Sequence, residues 1–207
     1  MTRDVYRPSE YSQDAVRRSI AKLKSYQDGD VAILEVVACG SQAIPHLRAL
    51  LFAREPSGLF QIRVRVVDAL AKLGAREALI EYLEAQPTIL DPIERVGEDA
   101  VINAAALAVA SVREGRVFEL LLRLAQRSVL TGVIGALGAF GRVEAIPVLV
   151  DALQEDASRL TAENALKKLG RPARDACCAP PRRKYRASGK ASQVCGGGEA
   201  PSNCWQK

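Results

Sequence analysis

The chain has 207 residues, 48% of them apolar, 26% charged and 5% aromatic, with five cysteines and one histidine, the make-up of one globular domain plus an appendage. Its longest uncharged run, Ser128 to Gly141, falls short of the roughly 20 apolar residues that a spanning helix requires, which excludes a transmembrane reading. The net charge of +5 is uneven: residues 1–170 carry 21 Lys and Arg against 22 Asp and Glu, and residues 171–207 carry 8 against 2, so the body sums to −1 and the tail to +6. A near-neutral body argues against electrostatic capture of duplex nucleic acid.

Taken in chain order, MTRDVYRPSEYSQDAVRRS holds charges throughout and no apolar signal core. The expected compartment is therefore the cytoplasm, with reduced thiols. Helices are predicted at about 11–26, 29–39, 42–54, 59–73, 75–86, 98–111, 116–127, 128–140, 143–154 and 158–169, with no strand signals. Residues 1–27 read as an N-terminal helical cap.

Self-similarity organises the rest. Ala-Leu-x-x-apolar-Gly recurs at Ala69–Gly74, Ala136–Gly141 and Ala165–Gly170, with degenerate copies ending at Gly40 and Ser111. These closing positions are 34, 37, 30 and 29 residues apart, one helix pair per repeat. Gly40 and Gly141 are each followed by Ala-Ile-Pro, at Ala43–Pro45 and Ala145–Pro147. A glycine suits a left-handed helix end, and a proline suits the first turn of the next helix, where its missing N–H costs little. Ile146, Leu149, Val150 and Leu153 share one stripe. A single such helix cannot bury its stripe alone, so stability is shared along a stack.

The longest predicted interruption is PTILDPIERVG, Pro87 to Gly97. Glu98 or Asp99 would then cap and charge-stabilise the following helix. Gly132, Gly135, Gly138 and Gly141 recur at every third position and predict close packing between units, each internal glycine costing ~1 kcal/mol of helix propensity. Past Gly170, Arg171–Arg174 begins like another second helix, and Cys177-Cys178-Ala179-Pro180-Pro181 stops it. The division expected is a solenoid over residues 28–175 and a basic, Gly/Ser-rich disordered tail over residues 176–207.

The phrases AIPVLVDALQEDASRLTAENALKKLG and QAIPHLRALL, with their Ala-Leu-x-x-Leu-Gly endings, resemble HEAT-like repeats of the short kind found in phycobilisome lyases and bacterial scaffold proteins. Asp156 and Arg159 match the Asp and Arg of that repeat pattern; Arg63 shares the register of Arg159, while Leu130 and Ala100 occupy it in two other units. The resemblance implies an all-α, armadillo-like solenoid of about five helix pairs, an α-α superhelix, whose concave face of second helices binds other macromolecules.

Chemistry is sparse. HEAT-repeat iron hydroxylases use His-Glu pairs, whereas the only histidine here, His46, precedes Leu47. Cys177, Cys178, Cys195 and Cys204 lack the paired short spacings of zinc sites, and Cys39 lies in an apolar stripe and reads as a small core residue. Gly196–Gly198 is followed by Glu199 rather than by Lys-Ser/Thr. No metal, cofactor or catalytic residue is expected. The remaining polar concentration, Asp91, Glu94, Arg95, Glu98, Asp99 and Asn103, is expected to form a partner-recognition edge with Arg63 and Arg65 of the preceding unit. The function expected is a non-enzymatic scaffold or adaptor that binds another protein and no membrane. The alternatives are a bilin-lyase-like or chaperone-type protein acting on a phycobiliprotein-like partner, and nucleic-acid binding through the basic tail. The sole tryptophan, Trp205, lies in that tail, so the solenoid lacks the aromatic base reader that a HEAT-like glycosylase would need.

Overall fold

The computed structural model describes residues 13–25, 27–53, 60–85 and 89–178, the last four by their backbone alone. Within these residues the chain forms helices α1 (Gln13–Lys22), α2 (Gly29–Ala38), α3 (Ile44–Phe52), α4 (Gln61–Lys72), α5 (Arg76–Glu84), α6 (Pro92–Val109), α7 (Gly115–Arg127), α8 (Thr131–Phe140), α9 (Ile146–Asp151), α10 (Asp156–Leu169) and α11 (Arg171–Cys178), and no strand. Five pairs, α2/α3 through α10/α11, stack in sequence. The even-numbered helices from α2 to α10 pack against one another as one layer, α3, α5, α7, α9 and α11 form the second, and α1 packs on α2 and α3 at the start of the stack.

The turns follow from local chemistry. Gly40, Gly74, Gly141 and Gly170 all take positive φ, between 67° and 72°, a region where a side chain would clash with the backbone. Pro45 and Pro147 sit in the first turns of α3 and α9 as expected. The Ser111 repeat ends differently: Ala110 stays right-handed at φ −59°, and the Ser111 hydroxyl donates to the Ala108 carbonyl at 3.4 Å.

Close backbone packing distinguishes the first layer from the second. Among the first helices, backbones approach closely at glycine and alanine. A Cβ on Gly132 would lie 2.5 Å from the Asn103 carbonyl oxygen, and one on Gly138 2.5 Å from the Ala165 Cβ. The second helices are bridged by long ion pairs: Arg48 of α3 donates to Glu81 of α5 at 2.5 and 2.9 Å, and Arg116 of α7 donates to Glu84 of α5 at 3.1 Å. A continuous core from Val16 to Ala173 runs between the layers, with Leu47, Leu70, Leu79, Phe118, Leu137 and Leu149 fully buried.

Two predicted boundaries need correction. The interruption at Pro87–Gly97 is shorter than expected, because α6 begins at Pro92 and runs 18 residues. Its cap is Asp91, whose carboxylate accepts from the Ile93 and Glu94 N–H groups at 2.7 and 3.0 Å, whereas Glu98 and Asp99 lie inside the helix. Asp-Pro is a cap followed by a first-turn residue; the expectation overlooked it and ran the interruption on to Gly97. At the other end, α11 continues through Cys178, three residues past the expected solenoid limit. The N-terminal residues 1–12 and the tail from 179 onward, with Cys195, Cys204, Trp205 and Gly196–Gly198, lie outside the described residues.

Candidate functional site

Of the eight residues singled out as a recognition edge, Arg63, Arg65 and Glu98 are buried, Glu94, Asp99 and Asn103 half-buried, and Asp91 and Arg95 exposed. Arg63 is buried, with 8% of its surface exposed, and Glu98 has 4% exposed. The Arg63 guanidinium donates to the Glu98 carboxylate at 2.7 and 3.2 Å, to the Tyr82 hydroxyl at 3.0 Å and, through Nε, to the Leu51 carbonyl at 2.9 Å. Tyr82 in turn donates to Glu98 at 2.5 Å, and its ring meets Phe52 edge-on at 5.8 Å. Burial works against the Arg63 charge, but the hydrogen bond it donates to Glu98 and the attraction of Tyr82 and Glu98 overcome it, holding the guanidinium above its ordinary value. This knot ties three consecutive helix pairs together through α3, α4, α5 and α6.

Arg65 faces inward as well. It donates to the Leu23 and Ser25 carbonyls just past the end of α1, at 2.9 and 2.7 Å, and to the Asp30 carboxylate at 2.8 Å. Carbonyls at a helix end have no partner within the helix, so the arginine supplies the missing donors. Arg159, in register with Arg63, uses its Nε in the same way on the Leu153 carbonyl at 3.1 Å and pairs with Asp156 at 2.7 Å. The expectation that Arg63 and Arg65 project toward a partner edge is therefore corrected: both are spent on closing preceding helices. Asn103 is spent too, accepting from the Gly132 N–H at 2.7 Å near the start of α8.

Asp91, Glu94, Arg95 and Asp99 stand on a ledge. Arg63 of α4 meets Glu98, and Asn103 meets Gly132 of α8; in this register Pro92–Val101 of α6 overhangs the start of α8 by about 15 Å at 1.5 Å per residue. It overhangs the start of α4 by about 6 Å. Leu107, beside Gly135 of α8, shares a stripe with Ala100, Val96 and Ile93 at helical spacing. The stripe is exposed at both ends: Ile93 and Val96, with Leu90 just before the helix, are 73%, 67% and 85% exposed, and Leu107 is 55% exposed. Around the first three stand Asp91, Glu94, Arg95 and Asp99. Arg95 donates to the Ile89 carbonyl at 2.8 Å, fastening the preceding turn to the helix. Partial burial raises the Asp99 carboxyl above its usual value, against the opposing pull of Arg95 and with a push from Glu98.

Sequence reasoning placed the polar members of this ledge and missed its apolar ones, Leu90, Ile93 and Val96. The missed signal was an apolar stripe running back from Leu107 beyond the assumed helix start. Elsewhere, His46 is half-buried on α3 and lines a shallow groove with α1. Cys39 is buried and donates to the Glu35 carbonyl at 3.3 Å, as a core residue. Among the described residues no three of His, Cys, Asp and Glu gather into a metal-binding group, and no helix is long and apolar enough to cross a membrane.

Residues 129–155, spanning α8 and α9, match the family model described as PBS lyase HEAT-like repeat. No curated protein shows significant sequence similarity to the chain. The match falls on one helix pair of a stack in which the other pairs repeat its layer packing and all but α6/α7 repeat its turn glycine. The described residues are all-α, and within them residues 129–155 are similar to a HEAT-like repeat.

Proposed function

We propose that this protein is a non-enzymatic interaction module of the cytoplasm, a scaffold or adaptor that recognises another protein at the α6 ledge. The observation that carries the reading is the exposure of Leu90, Ile93 and Val96 together on a projecting helix end. Scattered exposed aliphatic residues are ordinary on a soluble surface, but three within seven residues, rimmed by charge, make a contact patch. The interior polar groups support the same reading. Arg63, Arg65, Glu98 and Tyr82 are consumed in holding repeats in register, so they serve as the frame that presents the ledge.

The test is parallel affinity capture with the full chain and with Ile93→Asp/Val96→Asp, followed by quantitative mass spectrometry and an absorption spectrum of the eluate. A protein recovered by the parent chain and depleted about tenfold or more by the variant is the expected result, since a charge forced into an apolar contact is left unpaired. Equal recovery by both, or a coloured eluate carrying a tetrapyrrole, would overturn the proposal.

A further inference from the structure

We infer that the stack carries a hinge between its second and third helix pairs, pinned by Arg63 and Glu98 in the interior and latched by Arg116 on the surface, and that the latch opens as salt rises. The hinge is independent of what the ledge binds, and it sets the angle at which α6 presents that ledge.

Pin and latch join the same two pairs and differ in their surroundings. The pin is dry: Arg63 of α4 donates to Glu98 of α6 at 2.7 and 3.2 Å, and both are buried. The latch is wet: Arg116 of α7 donates to Glu84 of α5 at 3.1 and 3.2 Å and stands 3.9 Å from Glu77, with 58% of the Arg116 side chain and 37% of that of Glu84 exposed. The hydrogen bonds to Glu84 and its attraction, followed by the pulls of Glu77 and Glu114, hold the Arg116 guanidinium above its ordinary value. Dissolved ions screen exposed pairs far more than buried ones, so salt works on the latch and spares the pin. A surface pair adds little to folding stability. Here, however, it spans two helices, α5 and α7, that touch more sparingly than α4 and α6, so a weak tie weighs more.

The neighbouring joints of the second layer are held differently. α3 meets α5 through the Arg48–Glu81 pair and also through the edge-on rings of Phe52 and Tyr82. Arg142, in the turn before α9, stacks over the Phe118 ring of α7 at 4.3 Å. The bend is therefore concentrated between α5 and α7. With the pin closed, α7 leaves α5 by a turn of the α6/α7 pair about the α4/α6 contact. Packed helices shift by about 1–2 Å when interfaces rearrange, and over the ~8–10 Å between neighbouring axes such a shift is a turn of roughly 5–15°. Ile93 and Val96 turn with α6, and the later pairs follow.

The experiment measures backbone amide residual dipolar couplings of the full chain in compressed polyacrylamide gel, from about 0.01 M to about 1 M salt, across which the screening length falls from ~30 to ~3 Å. The α6/α7 pair of the parent chain is expected to turn by roughly 5–15° against the α4/α5 pair as salt rises. Arg116→Glu, which sets like charges against each other across the joint, is expected to hold the turned state even at low salt. Arg116→Glu/Glu84→Arg, which exchanges the two charges, is expected to return the pair to the parent angle. Circular dichroism melting checks that each variant folds; Arg116→Gln replaces Arg116→Glu if that chain does not, and the salt series on the parent needs no variant. An angle that stays fixed in the parent across the salt series, a turn shared equally by every pair, an Arg116→Glu chain with the parent's angle, or an exchange that fails to restore it would each overturn the inference.

Discussion

Arg63 and Glu98 illustrate what a buried charge can and cannot contribute. Their mutual attraction offsets the loss of hydration, so the pair adds little net stability, but removing one partner leaves the other charged and dry. Arg63→Met is expected to lower unfolding free energy by about 3–5 kcal/mol, read from the urea midpoint at unchanged slope. Arg63→Met/Glu98→Leu, which leaves no orphan carboxylate, is expected to recover part of that loss. A double variant as unstable as the sum of the singles would contradict this account of the knot. Arg63 was recognisable in the sequence through its register with Arg159. Its burial was not, because its partners Tyr82 and Glu98 lie 19 and 35 residues further along the chain, on helices whose placement no local pattern encodes.

Among the helices, α8 shows why the same residue type carries different meanings within ten positions. Gly132 lies against the backbone of Asn103, and Gly138 against Ala165, so neither neighbour can yield by turning a side chain. Gly135 faces only the Leu107 and Thr161 side-chain ends, at 3.4 and 3.5 Å from where a Cβ would stand. Gly132→Ala is expected to destabilise by about 1–3 kcal/mol through overpacking. Gly135→Ala is expected to be neutral or to stabilise by up to ~1 kcal/mol, because alanine restores helix propensity. Chemical denaturation of the two variants side by side checks the contrast, and similar losses in both would refute it. The every-third-residue pattern announced close packing correctly, yet it could not tell which glycines face a backbone. The start of α6 is the complementary case: Asp91-Pro92 encodes the cap locally and was legible, while the overhang it creates depends on where α8 begins relative to Asn103.

Across the whole molecule, the two layers respond differently to acid. The hydrogen bond from Arg48 holds the Glu81 carboxyl below its ordinary value, and that from Arg142 does the same for Glu144. Groups depressed on folding stabilise the fold above their unfolded value, and that contribution fades as pH falls through the folded value. Asp99 runs the other way: its raised carboxyl favours the fold fully below the unfolded value of 3.8 and the benefit is lost as pH climbs through the higher folded value. Thermal melting across pH is therefore expected to show stability declining below about pH 4.5, less steeply in Glu81→Gln. Asp99→Asn is expected to raise the melting temperature at neutral pH but not near pH 3. An Asp99→Asn effect independent of pH would show that its burial, not its charge, dominates.

What the sequence by itself determined is the repeating unit: a helix pair about five times over, closed by a glycine turn in four of the pairs and led into the second helix by a proline at Pro45 and Pro147. Each of those features is local, a left-handed residue or a first-turn proline that works the same way wherever it occurs, and their recurrence at near-constant spacing implies stacking, since an amphipathic helix cannot bury its stripe alone. Only the tertiary structure decided which polar residues turn inward and which part of α6 stands clear. Those outcomes depend on the register between helices some 30 residues apart, where the placement of one helix end against its neighbour decides whether an arginine is buried or a valine is exposed.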